Sequence, residues 1–150
     1  MKSWKDNNML LREAQPLPLR GKDISVDSII IHGRSHNWDY KDDAELRRTA
    51  RLIRSMLINE SENCEGQEYE YPNLMAALSR TNIEDLFCIF AAHEEAKFRE
   101  HEEEEISNYM DYWNLDSEEE ARERVYNQFQ DELQSEAILL NRVCGCRIAY

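Results

Sequence analysis

The stretch from Thr81 to Val143 constrains this chain more than any other, because it reads as two long acidic helices joined by a short turn. Thr81 can cap the first turn, and Glu84 three residues later completes a capping box. Asp85 adds negative charge at the positive end of the helix dipole. Ile83, Leu86, Phe87 and Phe90 recur at helical spacing and give one apolar face. Continuing along that face gives Glu94, Phe98, His101, Glu105, Tyr109 and Tyr112. Two carboxylates and an imidazole therefore interrupt the stripe before it resumes as an aromatic cluster with Trp113.

Asn114 and Leu115 break the pattern. Asp116 with Glu119, or Ser117 with Glu120, caps the second helix. Val125, Phe129, Leu133, Ala137 and Leu140 form its apolar stripe. Each helix would be roughly 25 to 30 residues long, about 40 Å. So short a linker predicts antiparallel packing.

The rest of the chain supplies less. Residues 1–15 read as a flexible or helical N-terminal arm. Pro16 and Pro18 force an extended segment. Ile24 to Ile31 is the strongest strand candidate, with partial alternation and a β-branched run, and Leu17 to Leu19 could pair with it. His32 to Trp38 reads as a polar loop. A helix is expected from Asp39 or Asp42 to about Asn59, with Leu46, Ala50, Ile53 and Leu57 buried. Arg47, Arg51 and Arg54 share one stripe of it, with Arg48 beside them, and are expected to pack along the acidic hairpin. Residues 60–70 read as a flexible loop. Pro72 then opens a short helix that turns Leu74, Met75 and Leu78 inward, and the C-terminal tail is apolar enough to dock. The expected fold class is mostly α, an α+β arrangement with a minor β element. It is a single domain over 1–150, built on the antiparallel hairpin 81–143 with a short strand or hairpin near 17–32.

Charge separates the two ends of this sequence. Residues 1–60 carry 11 Lys/Arg and 9 Asp/Glu, a net of +2, while residues 61–150 carry 7 and 22, a net of −15. An acidic lobe of that strength repels nucleic acid and bilayer surfaces and attracts basic protein surfaces. Met1 to Gln15 lacks the apolar core of a secretion leader, and no run is long enough to span a membrane. The expectation is a cytoplasmic protein with reduced thiols.

Several chemistries can be weighed against the residues. His93-Glu94-Glu95-Ala96-Lys97 falls short of a zinc-protease motif, because Lys97 stands where the second histidine ligand belongs. His101 and Glu105 suit a shared ion, but the second helix offers Glu132 and Glu136 and no histidine, whereas a dinuclear bundle site needs Glu-x-x-His on two helices. His32, His36, Cys144 and Cys146 could together offer four zinc ligands, although Cys-x-Cys is an unusual spacing. There is no nucleophile elbow and no phosphate-binding loop. The chain therefore reads as a non-enzyme with no metal and no cofactor.

The functional expectation is an acidic inhibitor that presents carboxylates to a basic, nucleic-acid-handling protein. Duplex DNA presents a charge about every 1.7 Å, and acids on adjacent helix turns lie about 5–6 Å apart, a usable imitation. Small acidic proteins of phages and mobile elements that block restriction or CRISPR machinery act in this way, an analogy of charge and size. The expected partner-binding residues are Glu94, Glu95, Glu100, Glu102, Glu103, Glu104 and Glu105, with Tyr109, Tyr112 and Trp113 as aromatic anchors. Direct nucleic-acid or membrane binding is not expected. The alternatives are a structural or regulatory helical domain that self-associates into a homo-oligomer and, behind it, a metal-binding helical protein.

Overall fold

The computed structural model describes residues 18–63 and 70–150. The arm expected at 1–15 lies outside them. The described chain is mostly helical, with five helices and one two-stranded ribbon. In order these are β1 (Leu19–Arg20), a 3-10 turn (Gly21–Asp23), α1 (Val26–Ser35), α2 (Asp43–Asn63), β2 (Glu70–Tyr71), α3 (Leu74–Ala77), α4 (Arg80–Trp113) and α5 (Glu118–Cys144).

The expected strand at Ile24–Ile31 is a helix instead. The Ser25 hydroxyl accepts the Ser28 backbone N–H at 3.1 Å and caps α1. Val26, Ile29, Ile30 and Gly33 then fall at i, i+3, i+4 and i+7, the spacing of a helix face. Ile29 is wholly buried, while Ile31, the third member of the β-branched run, is 62% exposed. Helical phase therefore sorts three consecutive isoleucines that look alike in sequence. The polar loop expected at His32–Trp38 also begins too early, because His32 to Ser35 complete the helix and His32 and Gly33 are buried. Gly33 is where α1 meets its neighbours most closely. A Cβ there would stand 2.6 Å from the Trp38 ring and 2.9 Å from Leu46.

Asp42 caps α2 by accepting the Glu45 N–H at 2.8 Å, and the Glu45 carboxylate accepts Lys41 N–H at 2.8 Å. Leu46, Ala50, Ile53 and Leu57 are buried as expected, joined by Thr49 and Met56. The helix runs on through Asn63, so residues 60–63 are helical rather than loop, and 64–69 lie outside the described residues. Glu60 explains the extension. It is 3% exposed and accepts the Tyr71 hydroxyl at 2.8 Å, which fastens the last turns of α2 to β2. Burial pushes its carboxyl above the usual range, and the Tyr71 bond partly offsets that. The ribbon pairs Leu19 with Tyr71 and Arg20 with Glu70, a longer-range partner than the expected neighbouring segment.

Asn73 caps α3, so Pro72 sits outside the helix rather than at its first position. Ala77 and Leu78 turn inward, and Met75 is 59% exposed instead of buried. Ser79, rather than Thr81, then caps α4. Asn114 ends α4 in the left-handed conformation at φ 53°, and Ser117 caps α5 by accepting the Glu120 N–H at 3.2 Å. The helices are antiparallel, as the pairings Phe98 with Phe129 and Glu103 with Arg122 require.

The core lies where α1 and α2 pack on the base of this hairpin. It holds Ile29, Leu46, Ile53 and Met56 with Ile83, Leu86, Phe87 and Ala91 of α4 and Leu133, Ala137 and Leu140 of α5. Arg142 pairs with Glu45, tying the end of α5 to the start of α2. After α5 the chain turns at Gly145 and docks. Asn141 exchanges hydrogen bonds with the Ile148 backbone at 2.7 and 2.9 Å, and Cys146 is buried. Beyond Ala91 no residue of α4 is among the buried core, and none of α5 before Leu133 is, among the described residues, with Phe129 packed against its edge. Residues 94–132 thus form an arm that projects from it.

Candidate partner-binding site on the helical arm

The arm is held by its own seam. Phe98 stacks on Phe129 with centroids 4.6 Å apart and lies 6.1 Å from Tyr126, while Ile106, Ala121 and Val125 are buried beyond them. From Phe98 the buried face steps to Glu102 and Ile106, not to His101 and Glu105. Sequence spacing admits both paths. The position of α5 selects the first, because the register set by Phe98 on Phe129 and Glu103 on Arg122 brings Ile106 level with the first turns of α5, where Ala121 and Val125 are also buried. His101 and Glu105 are exposed, contrary to the reading that places them in the buried stripe. The Glu102 side chain tolerates 14% exposure because Arg99 and Arg122 approach it to 3.1 and 3.3 Å.

This seam divides the expected carboxylates among different faces. On one flank α4 and α5 leave an open groove of about 590 Å³. Glu94, His101, Glu105, Tyr109, Tyr112 and Trp113 line it from α4, and Phe129 and Glu132 line it from α5. Trp113 packs against Tyr112 at 5.1 Å and Tyr109 at 6.2 Å, and Tyr112 and Trp113 are 79% and 57% exposed. Glu102 and Glu103 lie on the other flank, where Arg122 pairs with both and with Glu118, at 3.3, 2.9 and 3.1 Å. Glu95 stands 3.9 Å from Arg99 and borders a second cavity beside Tyr150. Glu100 and Glu104 are exposed and pair with no cation among the described residues.

Two groove members from α5, Phe129 and Glu132, were not expected, nor was Glu136 at the base of the arm. One Glu136 oxygen is buried without a hydrogen-bond partner, and Arg48 lines the small cavity beside it. Burial pushes the Glu136 carboxyl up, Glu94 and Glu132 push it further, and Arg48 pulls the other way. Arg48 is thus the arginine of α2 that reaches the acidic hairpin. Arg47 and Arg51 face solvent, and Arg54 donates to the Lys22 carbonyl at 2.8 Å.

No group of three or more His, Cys, Asp or Glu side chains is placed to hold a metal ion among the described residues. His32 and His36 instead stack on each other at 4.0 Å. Burial raises the Cys144 thiol and pushes Cys146 up to about 12, so both remain protonated at neutral pH. No described helix is long and apolar enough to cross a membrane. Nothing matches this chain among protein families, curated proteins or solved structures.

Proposed function

We propose that this protein is a non-enzymatic, cytoplasmic inhibitor that binds a basic, nucleic-acid-handling protein through its acidic arm. The observation that carries this reading is the projection of residues 94–132 beyond the core, with unpaired carboxylates beside bare aromatic rings. Exposed charge steers an encounter, and exposed Tyr and Trp supply the contact area of interface anchors. Because Arg99 and Arg122 occupy Glu102 and Glu103, and Lys97 stands 3.7 Å from Glu94, the charge available to a partner belongs to Glu100, Glu104 and Glu105 and to Glu132 along the groove.

The test is retention of a basic protein from cell extract on the immobilised chain, followed by competition with duplex DNA. The expected outcome is a protein that DNA displaces and that the triple variant E100K/E104K/E105K retains at least about tenfold less strongly. Equal retention by this variant at moderate salt would sink the reading.

Self-association is the second reading, favoured by the exposure of Tyr112 and Trp113 at the tip. The net charge of −15 over residues 61–150 opposes it, since two arms would repel. Light scattering decides, with a monomer expected at low salt.

A further inference from the structure

The two flanks of the arm are built from the same residue types, but one of them is already filled. On the Glu102 flank the chain supplies its own arginines. The Arg99 guanidinium lies 5.8 Å from the Phe98 ring centroid and 5.1 Å from that of Tyr126. It also donates to Glu102 at 3.1 Å and stands 3.9 Å from Glu95. Arg122 reaches across to the same Glu102 from α5. A planar cation between ring faces and carboxylates is an arrangement suited to guanidinium, which stacks and donates two parallel hydrogen bonds.

The groove on the opposite flank repeats the rings and carboxylates, with Lys97 rather than an arginine as the basic residue of its lining among the described residues. Toward the tip Glu105, Tyr109 and Trp113 follow one another at four-residue spacing on one face of α4, while Glu94, Phe129 and Glu132 line the groove toward the base. Its lining holds no arginine among the described residues, and Lys97 stays 3.7 Å from Glu94. Arg124 lies outside the lining and is engaged by the Tyr109 hydroxyl and by Glu120, the latter at 2.7 Å. We infer that the tip end of this groove, at Glu105, Tyr109 and Trp113, receives an arginine side chain from the partner protein, held between carboxylate and rings as the chain holds its own Arg99 across the seam. The inference rests on the basic-protein reading above and narrows it to guanidinium. A volume of about 590 Å³ accommodates that side chain and part of the segment that carries it.

Lysine is the discriminating control, because it has the same charge but neither the plane nor the fork. Calorimetric titration of the full chain compares a capped peptide alternating arginine with glycine and its lysine counterpart of equal length. The arginine peptide is expected to bind at least about tenfold more tightly and to shift the Trp113 indole resonance. Trp113→Ala and Glu105→Gln should each erase that preference, and Trp113→Phe should keep most of it. Both positions are exposed, and thermal unfolding of each variant verifies that it folds. The double variant E100Q/E104Q should weaken both peptides equally and leave the preference intact. Equal affinity for the two peptides, or a preference that survives Trp113→Ala and Glu105→Gln, overturns the arginine inference while leaving the basic-protein reading standing. Failure of both peptides to bind overturns the two together.

Discussion

α4 buries Phe87 almost completely near its start and leaves Tyr112 79% exposed near its end. The same continuous helix therefore serves two regions with different physics. At its base, α1 and α2 cover it, and the side chains interlock around Ile53, Met56, Phe87 and Leu140. Along the arm, α4 has α5 alone, and the seam narrows to Phe98, Ile106, Ala121, Val125 and Phe129. Helices of this charge gain little from ion pairs in water. Anchorage at the base holds the arm while its flanks stay open to solvent.

The largest effect expected from this division is at Phe87. Phe87→Ala should cost about 3–5 kcal/mol in denaturant unfolding. Ile106→Ala should cost about 2 kcal/mol, at the low end for such truncations, because the open flanks can relax around the gap. Equal losses would break the distinction between base and arm. Hydrogen exchange sharpens it, with seam amides near Phe98 and Phe129 expected to open before those around Phe87 and Leu140.

Gly33→Ala comes next. The added methyl meets Trp38 and Leu46, and should destabilise the base by about 1–3 kcal/mol without altering peptide binding at the arm.

His32 and Glu136 should respond to pH with opposite signs, and Glu60 with the sign of Glu136. Burial, and then His36, lower the His32 pKa from 6.5. The unfolded state therefore takes up its proton first, and the His32 contribution to stability is lost as pH falls through 6.5. Glu136 has a raised carboxyl, so the folded state holds its proton more tightly, and strain at the root of the arm is relieved as pH falls toward the usual carboxylate range. Ring resonances of His32 and unfolding midpoints from about pH 7 to about pH 5 check both signs. The smallest effect belongs to Glu136→Gln, which should stabilise the chain at neutral pH by roughly 0.5–1 kcal/mol, measurable by chemical denaturation.

How far the sequence discloses this design depends on whether a feature is local. The hairpin is legible because apolar spacing lies within each helix and Ser117 caps the second, although Ser79 rather than Thr81 caps the first. Residues 24–31 are not, because a β-branched run outweighs the helical spacing of Val26, Ile29, Ile30 and Gly33 until the packing of α1 is known. Beyond Phe98, the steps to His101–Glu105 and to Glu102–Ile106 are equally helical, and the register of α5 decides between them. The aromatic tip and Glu94 and Glu105 of the groove are readable from α4 by itself. Phe129 and Glu132 are not, since the register of one helix against another is a tertiary property. The split of neighbouring carboxylates between paired and bare has the same origin, in where Arg122 lands.

The short turn at Asn114–Ser117 also sets a rule for the length of the arm. Each helical residue advances the chain by about 100° of rotation. Removing one residue from α4 beyond the core would swing Tyr109, Tyr112 and Trp113 away from Glu132 and onto another side. The arm can therefore change length only in matched steps of about seven residues in both helices, two turns at a time. Its reach is quantised, and paired deletions of that size should retract the tip while preserving its orientation.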